Sequence, residues 1–344
     1  MRFLTYYEGQ IEPIVICKGN AFGELEEEYE KIKHIRLLKK NIGYFNVASF
    51  IEIYKLLKKE NCHSVCDFTG NFAGIILFIA NLAKVKNRIA FYRGSSNHFK
   101  ETKLRLIYNK LMLFLVDKNA TAILSNSQSA LNYFYNHKSK NDNRFKVIYN
   151  GIDANKFNSN AIRYKKSDFG IPENAFVVGH TGRYNAAKNH KTILKVAENI
   201  CNKYNSVYFI LCGKDTDVCL SEEIATNSVL KDKVKLLGYR SDVSSVLTLF
   251  DLYFFPSITE GQPNSLIEAM IRGLPIVASN IGPIIETTPY EVHKDLKVPL
   301  DVDGFTKSIE DIYLNKEIKK QNFSNWAIQK YNPEVLFNEF YIKL

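Results

Sequence analysis

The sequence predicts an α/β protein built on parallel sheets and divided into two domains. Three observations carry that prediction. Residues 254–280, FFPSITEGQPNSLIEAMIRGLPIVASN, read as strand, polar loop, helix and strand, the unit expected of a parallel sheet. Apolar runs of strand length alternate with helical patterns on both sides of the chain's middle. Between these two alternations lies a polar stretch, residues 158–174, carrying Gly170 and Pro172, which reads as an interdomain linker.

The elements follow in order. Residues 12–17 read as a strand, 23–31 as an acidic helix, and 34–38 as a short apolar run in a basic setting. Residues 47–59 carry Phe50, Ile51, Ile53, Tyr54, Leu56 and Leu57 on a helical face. Residues 65–68 end a strand before a turn at Thr69-Gly70-Asn71, and 74–83 form a largely buried helix. A strand at 88–92, a helix at 100–115, a strand at 122–124, a helix capped by Ser127 and a strand at 145–149 complete the first alternation. In the second, strands read at 176–179, 207–211, 234–237, 252–255 and 275–278, and helices at 190–204, 221–229, 243–250 and 265–272. Gly273 and Pro275 stop the last of these. Residues 326–344 read as an aromatic, helical tail. The domains expected are therefore 1–157 and 175–322, with a tail at 323–344.

Composition narrows the class. The 344 residues are 46% apolar, enough for a sizeable core, and no charge-free apolar run reaches the ~18 residues of a membrane span. No signal peptide is visible in the first ten residues. The six cysteines form no C-x-x-C pair and read as reduced thiols of a cytoplasmic protein. The net charge of +10 is one-sided: residues 1–160 hold 24 Lys and Arg against 14 Asp and Glu, and the rest is balanced. An anionic partner surface follows. Neither zinc-finger spacing nor an RNA-binding aromatic motif supports nucleic acid, so an anionic membrane face or a diphosphate-bearing lipid is the better reading.

Four groups of residues carry candidate chemistry. After the strand at 176–179 come Gly182, Arg183 and Lys188, a glycine and two cations before a helix; they suit a diphosphate, or are two solvated cations. Glu260 lies in the loop at the carboxyl end of a strand, where ligands of open α/β sheets bind. Glu268 has two readings: with Ser265 it spells a capping box, or its carboxylate accepts the hydroxyls of a ribose. Arg93, Ser95 and His98 follow another strand end and face the expected cleft. Asp215-Thr216-Asp217 spells an acidic pair, but its position reads as a turn and helix cap.

The motifs around these residues resemble a known family. Glu260 and Glu268, with seven residues between them, and the flanking EGQPNSLIEAM and GLPIVAS resemble the signature of the retaining GT-B glycosyltransferases of glycosyltransferase family 4. That class includes sucrose synthases, mannosyltransferases and many bacterial polysaccharide enzymes. Gly182-Arg183 with Lys188 is similar to the family's diphosphate clamp, Tyr149-Asn150-Gly151 to its Pro-Asn-Gly hinge, and Gly238-Tyr239-Arg240 with Asp242 to its nucleobase loop. Ser125-Asn126-Ser127 resembles the serine before the last helix of its first domain. The resemblance implies two Rossmann-like domains facing across a cleft, with the acceptor on the first and a nucleotide-diphosphate sugar, UDP-linked, on the second. It assigns Glu260 to the donor sugar and its oxocarbenium-like transition state, Glu268 to the ribose, and Arg183 and Lys188 to the phosphates. Arg240 goes to the base, and the backbone around Asn264, Ser265 and Leu266 to sugar hydroxyls and phosphate oxygens. No metal and no cofactor are implied. The acceptor implied is a glycan or a lipid-linked saccharide of a surface polysaccharide, reached from the cytoplasmic face of the membrane. Rival readings are a GT-B sugar-phosphate epimerase and a silent GT-B binding subunit.

At two places the sequence departs from the pattern. Gln262 stands where an apolar residue is usual, and Phe91 and Arg93 stand where relatives carry a histidine, leaving His98 as the nearest. At the amino end, residues 1–9 are too short for the family's first strand, glycine-rich loop and helix, and residues 1–7 look like part of that helix. A first sheet lacking that strand would leave two neighbours without a ladder partner. The expectation is a shortened chain, or a first domain completed by a partner or by a membrane against which residues 31–40 and 55–59 turn their lysines.

Overall fold

The computed structural model describes residues 1–19, 25–43, 46–95, 102–135, 142–158, 164–315 and 323–344. Eleven strands among them form parallel ladders only: β1 (Ile14–Lys18), β2 (Arg36–Lys40), β3 (Ser64–Asp67), β4 (Asn87–Tyr92), β5 (Ala122–Ser125), β6 (Phe145–Val147), β7 (Phe176–Thr181), β8 (Val207–Cys212), β9 (Val234–Gly238), β10 (Leu252–Phe255) and β11 (Ile276–Ala278). The second half holds one sheet in the order β11-β10-β7-β8-β9, and the first half a sheet β3-β4-β5-β6 beside a separate pair β1-β2. Each half is thus built on parallel β-sheet, the two-domain arrangement expected of a GT-B fold.

The second sheet is buried on both faces, as a parallel sheet covered by helices must be. Its strands therefore read as unbroken apolar runs, and the side chains divide with a period of two. Val177, Ile210, Tyr253, Phe255 and Ile276 enter one core. Phe176, Val178, Phe209, Leu211, Phe254 and Val277 enter the other. Gly179 is required within β7, because a Cβ there would stand 2.0 Å from the Phe250 ring. In the first half, Ala90, Tyr92 and Ile123 face one core, while Ile89, Phe91 and Leu124 face another that Phe340 completes. Phe340 belongs to the helix Pro333–Tyr341, so the end of the chain covers the first sheet. A Cβ on Gly151 would meet Pro333 Cα at 2.6 Å, which is how closely the two segments cross.

β2 lies where the sequence predicts only a short apolar run at 34–38. Its RLLKK sequence carries three cations, the pattern of a charged edge. β1 and β3 are not laddered to each other among the described residues, and their strand residues are mostly half-buried rather than buried. Lys18 Nζ bridges their ends to Asp67 Oδ2 at 2.5 Å and Thr69 Oγ1 at 2.9 Å. Residues 2–6 form a helix, Arg2–Tyr6, with Phe3 packed against Phe337 and Phe340. The helix expected at 100–115 runs instead as Lys103–Asn119, and that expected at 221–229 breaks into Ser221–Thr226 and Leu230–Lys233. Among the described residues no helix is long and apolar enough to cross a membrane.

Candidate active site

The strand order of the second sheet reverses between β7 and β10: β8 and β9 lie on one side of β7, β10 and β11 on the other. Loops leaving the carboxyl ends of two such strands diverge and open a crevice. Both candidate clusters sit there. β7 ends at Thr181 and runs into Gly182, Arg183 and Lys188; β10 ends at Phe255 and runs into Glu260. Glycines allow the loops to approach. Gly182 donates its N–H to the Cys212 carbonyl at 2.8 Å, and a Cβ on Gly213 would lie 2.0 Å from the Gly182 oxygen. The Asn185 side chain accepts from Lys188 N at 3.1 Å, and Ile258 N–H donates to the Ala187 carbonyl at 2.8 Å, tying the two loops together.

The result is a charge pair. Lys188 Nζ lies 2.7 Å from Glu260 Oε1 and 4.6 Å from the centre of the Phe255 ring. The side chains are 16% and 11% exposed, so most of the water has been removed from both. Arg183 is exposed beside them and makes no ion pair or hydrogen bond with the described residues. Two cations and a carboxylate thus stand at one crevice, one cation with its fork unpaired among the described residues.

Glu268 is not a cap. The helix begins at Asn264 with Pro263 at its N-cap and no side-chain cap bond, so Glu268 lies in the second turn rather than the first. Its carboxylate meets Arg2 Nη2 at 2.8 Å and is 12% exposed. Burial raises its pKa, and the Arg2 guanidinium opposes that rise. The backbone around the helix start is partly used: Asn264 N–H donates to the Gln262 carbonyl at 3.0 Å, and Leu266 N–H to that of Pro263 at 3.1 Å. The Leu266 side chain is wholly buried in the core. The buried Tyr253 phenol lies 2.7 Å from Thr181 Oγ1 at the end of β7.

The loop between Glu260 and Asn264 also touches the first half of the chain. Ser95, expected on the acceptor side, donates its hydroxyl to the Glu260 carbonyl at 2.5 Å. Arg93 is exposed, and its carbonyl oxygen would stand 2.1 Å from a Cβ on Gly261. His98 lies outside the described residues. Gln262 grips the hinge from both sides, accepting from Asn150 N at 2.6 Å and donating to Asn150 O at 3.3 Å, while Asn150 Nδ2 donates to Asn264 Oδ1 at 3.0 Å. Glu286 accepts from Gln128 N at 2.6 Å and Tyr149 Oη at 3.0 Å, a second tie between the halves. Ser127 caps its helix through Ala130 N–H at 3.1 Å.

Two predictions follow from these ties. Gly261→Ala places a methyl against a main-chain oxygen that cannot swing away, so the halves must separate locally; the expected cost is about 1–3 kcal/mol of stability, read as a lowered melting temperature. Gln262→Leu removes the acceptor of the Asn150 N–H; the exchange of that amide with deuterium should quicken roughly fivefold to tenfold, the worth of about one hydrogen bond. An unchanged exchange rate would mean that the hinge is held by other contacts.

Residues 162–330, which contain both loops of the crevice, match the family model described as glycosyl transferases group 1. The protein is a GT-B glycosyltransferase. Among its curated relatives, EpsF of Bacillus subtilis is 28% identical over 253 residues, covering 70% of this chain and 64% of its own length. The capsular polysaccharide biosynthesis glycosyltransferase CapH of Staphylococcus aureus is 26% identical, over 90% of this chain and 85% of its own. An Escherichia coli UDP-Gal:α-D-GlcNAc-diphosphoundecaprenol α-1,3-galactosyltransferase is 27% identical, over 88% and 78%. The crystal structure of Anabaena HepE in complex with UDP and glucose superposes with a TM-score of 0.80 at 19% identity, covering 98% of this chain and 92% of that one.

Elsewhere in the glycosyltransferase, Arg240 is clasped rather than open. Its Nε and Nη2 meet Asp242 at 2.9 Å each, Nη2 also donates to Tyr164 Oη at 2.6 Å, and the guanidinium lies 5.3 Å from the Tyr164 ring centre. The Arg240 pair holds the Asp242 carboxyl down to about 2. Asp215 takes a left-handed turn before the short helix Thr216–Cys219, and Asp217 packs against Gly238. No group of three or more metal-binding side chains occurs among the described residues. Sequence reasoning missed Arg2, Asn150 as a partner of Gln262, and Glu286; the first lies 266 residues from the carboxylate it meets, and no local pattern signals such a contact.

Proposed function

We propose that this glycosyltransferase moves a hexose or N-acetylhexosamine from a UDP-linked donor to a glycan or lipid-linked saccharide, with retention at the anomeric carbon, in surface-polysaccharide synthesis at the cytoplasmic face of the membrane. The observation that carries the reading is the Lys188–Glu260 pair with the exposed Arg183 fork at the strand-order reversal. Charge builds on a leaving diphosphate as its bond to the sugar breaks, and preorganised cations in a partly dry crevice stabilise it. Arg183 gives a rigid two-pronged donor and Lys188 a point charge. Glu260, held beside Lys188, positions the sugar and offsets the positive charge that develops on it. Glu268, free of any capping duty, accepts the ribose hydroxyls once Arg2 yields. In the step itself the C1–O bond to the diphosphate breaks, a C1–O bond to the acceptor forms on the same face, and the acceptor hydroxyl proton passes to the departing diphosphate oxygen. Arg240 borders the base, and Arg93, Ser95 and His98 belong to the acceptor side.

The names of the capsule and galactosyltransferase relatives, and the UDP in HepE, support this choice of donor and product class. A panel of nucleotide sugars tested by melting shift checks it. A UDP-sugar at about 100 times its Kd should add about 2.7 kcal/mol to stability and raise the melting temperature measurably. A panel in which no nucleotide sugar moves the melting temperature would contradict the reading.

A further inference from the structure

Away from the crevice, one surface is at odds with water. The helix Lys103–Asn119 packs one face inward, where Met112, Val116 and Asn119 are buried. The fit is close: a Cβ on Gly74 would stand 2.4 Å from the Met112 carbonyl, Asn71 Nδ2 donates to Asn109 Oδ1 at 3.0 Å, and Asn81 Nδ2 to Asn119 Oδ1 at 3.1 Å. The opposite face carries Leu104, Ile107, Leu111 and Phe114, at steps of three, four and three residues that align them along the helix. They are 80%, 65%, 50% and 54% exposed. A helix apolar on both faces ordinarily lies in an interior. A line of four large apolar side chains in solvent marks a surface that another body covers.

The charges beside the stripe say which body. Lys103, Lys110 and Lys118 are all exposed, and Lys118 Nζ lies 5.9 Å from the Phe114 ring centre. The helix has a single carboxylate, Asp117, and Arg144 holds it at 3.1 Å. A second copy of this helix laid on the first would bring lysine against lysine along the seam, which like charges oppose. An anionic bilayer meets both features: the lysine stems lie along the apolar stripe and carry their ammonium groups up to the phosphates. The excess of Lys and Arg in residues 1–160 adds a long-range attraction of the same sign.

We propose that the outer face of Lys103–Asn119 docks the protein on an anionic lipid surface, with the helix in the plane of the headgroups. Leu104, Ile107, Leu111 and Phe114 enter the acyl boundary, and Lys103, Lys110 and Lys118 meet lipid phosphates. This relocates the membrane contact from residues 31–40 and 55–59, where the sequence had suggested it. The inference is independent of the donor reading, because it needs no nucleotide.

Flotation of the full chain with phosphatidylcholine vesicles, with and without about one third phosphatidylglycerol, tests it. The parent should partition at least tenfold more strongly onto the anionic vesicles, and less so as salt rises. Two double variants, Ile107→Glu/Leu111→Glu and Lys103→Glu/Lys110→Glu, should each lose roughly tenfold or more of that binding. All four positions are exposed, so an unchanged melting curve should accompany the loss. Parent protein that stays with the aqueous fraction on anionic vesicles would overturn the proposal. So would Ile107→Glu/Leu111→Glu protein that binds vesicles like the parent but changes from dimer to monomer in sedimentation, which would make the stripe a contact between copies.

Discussion

Replacing Lys188 by alanine is expected to cut turnover roughly 10²-fold or more, the scale of losing one preorganised donor to developing charge. The structure gives the substitution a second effect. Glu260, 11% exposed, would keep its carboxylate with no cation 2.7 Å away. Breaking one partner of a partly buried pair leaves an uncompensated charge, so a loss of stability should accompany the loss of rate. Arg183→Ala separates the two. Arg183 is exposed and unpaired among the described residues, so its removal should leave the melting temperature alone while turnover falls by a similar factor. Initial rates at saturating donor, read beside melting curves, make the comparison. Parent rates in both variants would place the diphosphate elsewhere.

Glu268→Ala is expected to lower nucleoside-diphosphate affinity about tenfold or more, the worth of hydrogen bonds to a charged group. The 2′-deoxy analogue should lose much less, because it already lacks one hydroxyl that the carboxylate would accept. A helix cap would give the opposite outcome, a fall in stability with unchanged affinity, but Pro263 occupies the N-cap and the Ser265-x-x-Glu268 spelling is not realised. A pH dependence follows. Burial raises the Glu268 pKa, so the ionised form that accepts hydroxyls is present above the raised value and lost as pH falls through it. Affinity should therefore decline on acidification earlier than an exposed carboxylate would allow, and Glu268→Gln should flatten that decline. Calorimetric titration of both nucleotides across pH reads all three effects.

The second half of the fold was the more legible, for physical reasons. Its strands are buried on both faces, and a run such as LYFF between Asp251 and Pro256 admits few other readings. Glycine and proline punctuate the loops that bear Arg183 and Glu260. In the first half the strands carry charge at exposed edges, which is why residues 34–38 read only as an apolar run while β2 extends over Arg36–Lys40. The capping-box reading of Ser265 and Glu268 is not realised because the helix begins one residue before Ser265, moving Glu268 out of reach of the N-cap. The residues that join the halves were illegible: Gln262 with Asn150, Ser95 with the Glu260 carbonyl, and Arg2 with Glu268 are each separated by more than a hundred residues. Exposure was illegible too. The sequence places Leu104, Ile107, Leu111 and Phe114 on a helix, but only the packing of Met112 and Val116 reveals that the other face is the covered one.

The central claim is that the crevice between β7 and β10 holds the donor nucleotide. A crystal structure of the protein with UDP tests it most directly. The account predicts both phosphates within hydrogen-bonding reach of Arg183 and Lys188, the ribose hydroxyls on Glu268, and Arg2 displaced from the 2.8 Å contact it makes now. UDP seated at another place in the fold, with Arg2 still on Glu268, would contradict it.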